Sequence, residues 1–332
     1  MDPLSQGLLG AAVSISCVRN KKILPVLASG AVGGMLADVD IFIRSDIDPL
    51  LALEFHRQFT HSLIFIPFGG LAGSLLLWFF MRKYLSFIML YLATTLGYAT
   101  HGLLDACTSY GTQLFWPFTS TRIAWNIVSV IDPLFTSILL LGLIFAYKKN
   151  KIICARLCLI CSILYLLLGY AQKERALNFQ NNIASQRGDI IIRSRVHPSF
   201  GNLLVWRSTY ETPQEYVVDG LRLGVTELKL YKGQRVARLN VDQEWPYLSK
   251  HSVLALDIER FRWFSDDWLY LVPNTNRLIS DIRYSILPQT IYPLWAIEIN
   301  PLKPEKHSDF ITMRSIRRDQ WNTFWQMLKG ED

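Results

Sequence analysis

Seven side chains, Asp38, Asp40, His56, His61, His101, Asp105 and Asp132, are of the types that hold divalent cations. His101 and Asp105 stand four apart, which on a helix puts both on one face with Cβ atoms about 5 to 6 Å apart. One ion could bridge them; the plainer alternative is a His–Asp hydrogen bond that satisfies two polar groups in an apolar helix. Asp38-Val39-Asp40 offers hard oxygen donors at close spacing, although an isolated pair of this kind is commonly a turn or capping feature. The run from His56 to Ser62 adds two imidazoles five apart and Arg57, whose planar fork could position an anionic group. In the same run Thr60 or Ser62 could cap the following helix. Asp132-Pro133 sets a carboxylate in a hydrophobic run, where leaving it unpaired is costly.

The elements that must position these groups are membrane helices. The chain has 332 residues, 51% hydrophobic and only 18% charged, below the usual charged fraction of soluble proteins. Residues 1–171 hold 12 of the 34 Lys and Arg and 8 of the 27 Asp and Glu. This asymmetry predicts an α-helical polytopic membrane domain over 1–171 and a small α+β soluble domain over 172–332. Spanning stretches of roughly 20 residues are expected at 62–81, 85–104, 127–147 and 152–171. Two shorter stretches at 4–18 and 23–37 are rich in Gly, Ala and Ser, the composition that lets helices pack closely in lipid. About six membrane segments result. The first does not read as a secretory signal, since Met1-Asp2-Pro3 supplies no basic leader.

Basic loops stay cytoplasmic, so Arg19, Lys21, Lys22, Arg82, Lys83, Lys148, Lys149 and Lys151 place alternate loops inside. The loops 38–61 and 105–126, and everything after residue 171, then lie outside. All eight acids and all three histidines of the membrane half fall on or near that outer side. Acids have little influence on topology, so a polyanionic pocket at the outer boundary is the better explanation. Trp116, Pro117, Phe118 and Trp125 fit an interfacial aromatic belt, and Arg122 a snorkelling or headgroup contact. Cys154, Cys158 and Cys161 lie on one stripe of the sixth segment and read as packing, with Cys17 and Cys107 unpaired and no disulfide framework implied.

In the second half, strands are expected at 189–196, 203–210, 214–218, 227–231, 268–272, 278–284 and 293–299, and helices at 248–261 and 317–328. Its 22 basic and 19 acidic residues nearly balance, which argues against nucleic acid as a partner. Arg314, Arg317 and Arg318 read as a solvated helix face. His197, His251 and His307 share no ligand spacing and read as surface or turn residues.

Several ordered motifs carry a resemblance: Met1 to Ala11, Asp38-Val39-Asp40, His56 to Ser62, Gly97 to Asp105, Thr108 to Thr112, and Ile131 to Leu134. Together they resemble the bacterial inner-membrane, metal-dependent hydrolase family typified by YdjM, over roughly the first 145 residues. The resemblance implies a distant relation to zinc-dependent phospholipases C and nucleases, in which a His-X-X-X-Asp helix supplies metal ligands; this maps onto His101 and Asp105. One departure is Ala37, where a Pro often precedes the Asp-X-Asp acids.

The expected cofactor is a divalent metal: zinc suits the mixed His and Asp set best, with manganese or magnesium behind it. Three His and four Asp exceed one tetrahedral site, so two or three ions are conceivable. The expected activity is metal-dependent hydrolysis of a phosphoester or other ester in a membrane lipid or lipid-linked substrate, at the outer face of the inner membrane. Arg57 and Asp132 are the expected catalytic participants, Asp132 also a ligand. Two alternatives are an ion or small-solute transporter, whose site should lie near the midplane in paired repeats, and a non-catalytic anchor for a periplasmic C-terminal domain.

Overall fold

The computed structural model describes residues 1–20 and 22–331. Lys21, counted above among the basic loop residues, lies outside them. The chain forms two compact units. The first comprises 1–42, 55–171 and 200–202; the second comprises 43–54, 172–199 and 203–332. The segment 43–54, which the sequence places in the membrane half, therefore clusters with the second unit.

The first unit is helical. Helix α1 (Pro3–Cys17) starts where Asp2 accepts from the Ser5 amide and Pro3 occupies the first turn, a position that needs no amide donor. Helix α2 (Ile23–Met35) continues into a 3-10 segment, Leu36–Phe42. After α3 (Leu51–Phe55) and two short 3-10 turns come α4 (Ile66–Met81) and α5 (Phe87–Cys107), the latter capped by Ser86. Helix α6 (Pro133–Lys149) ends on Asn150 in the left-handed region, with Lys148 and Lys149 at its negative pole. Helix α7 (Ile152–Arg187) passes through the boundary between the units.

Four stretches are long and apolar enough to cross a membrane: Ile23–Phe42, Leu63–Met81, Phe87–Cys107 and Ile152–Arg187. Helices α1 and α6, with 15 and 17 residues, stand near the short end of the spanning range and are not among these four. Small residues let α1, α2 and α5 approach closely. A Cβ at Gly97 would collide with the Gly30 carbonyl, and one at Gly34 would lie 2.5 Å from the Gln6 carbonyl. All five cysteines are free, and Cys158 is buried.

The second unit is rich in sheet. Strands β1 (Arg193–Pro198), β2 (Val205–Glu211), β3 (Glu215–Leu223) and β4 (Leu228–Ala237) form an antiparallel meander with an irregularity between Val218 and Gly220. After helices α8 (Val241–Glu244) and α9 (Val253–Phe264), strands β5 (Leu269–Leu271), β6 (Leu278–Asp281), β7 (Trp295–Glu298) and β8 (Asp309–Thr312) form a second one. Helix α10 (Arg318–Lys329) closes the chain. Tyr216 and Val218 of β3 share a core with Trp268, Tyr270 and Ile282, while Ala184 of α7 packs on Tyr210 and Val217.

Seven strands overlap the sequence expectation. Strand β8 was not expected, since Asp309–Thr312 is too short to show a period, and 189–192 is not strand. His197 is buried in β1 rather than exposed in a turn.

Candidate metal centre

The glycine contact between α2 and α5 sets the first ligand. One turn beyond Gly97, His101 Nδ1 lies 2.6 Å from the Gly34 carbonyl oxygen. A carbonyl only accepts, so Nδ1 carries the proton, and in the neutral ring Nε2 presents its lone pair. His61 enters on the 3-10 turn Phe59–His61, and a Cβ at Gly102 would collide with its carbonyl. The His61 Nδ1 lies 3.2 Å from Asp40 Oδ2, which orients the ring. Its Nε2 is 3.0 Å from His101 Nε2.

At that distance either one ring donates an N–H to the other ring's nitrogen or a metal ion lies between the two. Asp38 Oδ1 stands 3.5 and 3.3 Å from the His61 and His101 Nε2 atoms. Asp105 Oδ2 stands 3.4 and 3.9 Å from the same two atoms. These four side chains each offer a donor within 4.8 Å of the others; so do Asp38, Asp40 and His56, and Asp38 belongs to both groups. In the second group, Asp40 Oδ1 is 2.8 Å from His56 Nδ1. His61, His101 and Asp105 are buried, whereas Asp38 is partly exposed.

The electrostatics ask for positive charge. Burial alone would lower the His61 pKa, but Asp105, Asp38 and Asp40 outweigh it and raise it to about 10. Other donors already face Asp105: its Oδ1 accepts from the cationic Met1 amino group and, at 2.9 Å, from the neutral Gln6 amide. Arg57 Nε lies 3.0 Å from Asp105 Oδ2. The contact is an ion pair without hydrogen-bond geometry, so Oδ2 accepts no hydrogen bond among the described residues. That orphaned oxygen, with two converging Nε2 atoms and Asp38, fits a metal ion.

Arg57 has φ 66°, a left-handed conformation costly for a residue with a side chain. The strain turns its amide onto Asp40 Oδ2 at 3.0 Å and its guanidinium toward Asp105, the Thr108 hydroxyl and the Tyr110 ring. Thr60 donates to Asp40 Oδ2 at 2.7 Å. Neither Thr60 nor Ser62 caps a helix with its side chain; the Ser62 hydroxyl donates to the Phe59 carbonyl. Gln6 and Thr108 lie in motifs that carry the resemblance, but the sequence does not single them out as site residues. A glutamine in an apolar helix was the available signal for the first.

Asp132 requires a correction. It is not among the donors gathered in either group. It is the N-cap of α6, accepting from the Phe135 amide at 3.1 Å and from the Tyr165 hydroxyl at 2.8 Å. Capping and a phenol hydroxyl satisfy a carboxylate in an apolar run as well as a metal does.

A third group of donors, Asp48, Asp257 and His307, lies in the second unit. Arg260 forms a two-pronged pair with Asp48, both bonds 2.9 Å, and also reaches Glu54 and Asp257. His307, expected to be an ordinary surface residue, pairs with Asp257 at 3.0 Å.

Among known proteins, the chain is similar to the "Uncharacterized protein YfhP" of Bacillus subtilis (strain 168), 27% identical over 108 residues. That alignment covers 32% of each chain, so this protein matches about a third of that relative's length. No solved structure matches. A family model described as YdjM inner membrane protein matches residues 1–176, more than half of the sequence and both donor groups of the helical unit. The chain belongs to the YdjM inner membrane protein family.

Proposed function

We propose that the protein is a membrane-embedded, metal-dependent hydrolase that cleaves a phosphoester or other ester of a lipid or lipid-linked substrate. The observation that carries this reading is the convergence of His61 and His101 Nε2 with Asp38 and Asp105, beside the second group of Asp38, Asp40 and His56. Residues separated by more than sixty positions share one buried place. Structural hydrogen bonding alone would not require two imidazole nitrogens to face each other.

Asp38, His61, His101 and Asp105 would hold one ion, and Asp40 and His56 with Asp38 a second, zinc suiting the mixed donors best and manganese or magnesium less well. Divalent ions there supply electrophilic stabilisation of the ester oxygens and an activated water. The chain's own residues do the rest. Gly34 and Asp40 fix the two imidazole tautomers, Thr60 and the Arg57 amide hold Asp40, and the Arg57 guanidinium, anchored on Asp105, lies where an anionic oxygen can be oriented.

In this reading six helices, α1, α2, α4, α5, α6 and α7, cross the inner membrane, the metal groups lie at its outer boundary, and residues after 171 are periplasmic. The basic loops support that orientation. The lipid-facing character of α4 and α7 agrees with it: Phe79, Phe80, Leu164 and Leu167 are each more than half exposed. Arg44, Arg57 and Arg122 are the fixed cations of the outer loops.

The test is ester cleavage by the full chain in phospholipid vesicles supplied with zinc, scored by release of phosphorylated headgroup. Cleavage by the wild type and at least a hundredfold less by His101→Ala is expected. Metal-dependent ion flux without cleavage would point instead to transport.

A further inference from the structure

At the other end of the same helices lies a cleft that the metal reading does not use. It has a volume of about 920 Å³ and is formed by the start of α2, the ends of α4 and α6, and the residues flanking them. Helix α4 has 16 residues, a length of about 24 Å at 1.5 Å per residue. His61 lies just before its first turn and Met81 at its last. The cleft and the metal donors are thus separated by nearly the thickness of a bilayer's hydrocarbon core, about 30 Å.

Its walls are divided by chemistry. Ile23, Leu24 and Met81 supply an apolar surface, Tyr84 and Tyr147 stand at amphipathic depth, and Lys22 and Lys148 supply the charge. Among the described residues no carboxylate lines it. Lys22 Nζ sits 5.6 Å from the centre of the Tyr84 ring, so one ammonium is held over the cleft wall. An apolar trough beside two ammonium groups suits an amphiphile whose anionic head is at the boundary and whose chain runs into the membrane. A free phosphate would leave the trough uncovered, and a cationic headgroup would meet two like charges.

We infer that this cleft binds one anionic glycerophospholipid, its phosphate between Lys22 and Lys148 and an acyl chain along Ile23, Leu24 and Met81. The site is independent of the metal centre. Lys149 stacks on Phe145 and Lys151 follows it, and neither lines the cleft. They give a control of equal charge a few residues away.

The experiment is native mass spectrometry of the full chain in uncharged detergent, with phosphatidylglycerol and phosphatidylcholine of identical acyl chains in equal amounts. The wild type is expected to retain a single phosphatidylglycerol with a preference of about tenfold or more, since each lysine near an anionic surface contributes on the order of 1 kcal/mol. Lys22→Ala with Lys148→Ala abolishes the preference, and each single Lys→Gln change reduces it about threefold. Lys22→Arg with Lys148→Arg and Lys149→Ala with Lys151→Ala both preserve it. A wild type that does not discriminate, or a Lys149/Lys151 pair whose loss equals that of the Lys22/Lys148 pair, overturns the inference.

Discussion

Buried charge is handled in opposite ways by the two units. In the sheet unit several buried charges are matched one to one or by carbonyls. Arg283 forks onto Asp281 with bonds of 2.9 and 2.7 Å, Arg187 onto Asp219 with bonds of 2.6 and 3.1 Å, and Arg207 donates to the carbonyls of Ile282, Pro288 and Thr290. Burial opposes the charge on Arg283, yet Asp281 holds its pKa above the usual value. In the helical unit, nitrogens of two imidazoles and oxygens of two carboxylates converge on one place, and the Asp105 Oδ2 atom accepts no hydrogen bond among the described residues. Matched pairs hold a fold together. Unmatched convergence is what a cation-binding site needs.

The contrast can be broken from the sheet side first. Arg283→Ala leaves Asp281 charged and buried, and should cost about 3 to 5 kcal/mol of local stability without changing metal content. Hydrogen exchange at β6 together with metal analysis reads both. Next comes His197, whose imidazole is pushed down to about 4 by burial against the opposing pull of the Arg283 and Pro198 carbonyls. Because the folded pKa is below the ordinary 6.5, the unfolded chain takes up the proton first. Stability of the sheet unit should therefore fall as pH drops from about 6.5 to about 4, by on the order of 3 kcal/mol, and level off below that. Urea unfolding across that range, with His197→Phe flattening the profile, checks it.

On the helical side, Asp40→Asn weakens the acceptor that orients His61 and removes a carboxylate from the second donor group, so it should raise the metal Kd by at least about 10 to 100-fold with little loss of helix content. Calorimetric titration with zinc measures this. The smallest effect belongs to Asp132→Ala. Losing an N-cap costs about 1 kcal/mol, so the thermal midpoint should drop slightly while metal stoichiometry stays at the wild-type value. A fall in stoichiometry would return Asp132 to the site.

Those last two residues show what the sequence can and cannot say. His101 and Asp105 were readable because four-residue spacing in an apolar helix fixes a common face, and Asp38, Asp40 and His61 because they flank that membrane boundary. Asp132 has the same residue type and the same depth, yet its partners, the Phe135 amide and the Tyr165 hydroxyl, depend on the entry of one helix and the packing of another. The positive φ of Arg57, which aims both its amide and its guanidinium, has no signature in residue type. In the sheet unit, period-two patterns located most strands. The grouping into two four-stranded meanders and the placement of 43–54 with that unit arise from long-range pairing that no local window contains.

Metal content of the purified full chain, set beside His101→Ala and Asp105→Ala, addresses the convergence most directly. The account predicts one or two tightly held divalent ions per wild-type chain, reduced to well under half in each variant while helix content is retained. Wild-type protein that holds no ion after zinc loading and gel filtration, or variants that hold as much as the wild type, would contradict it.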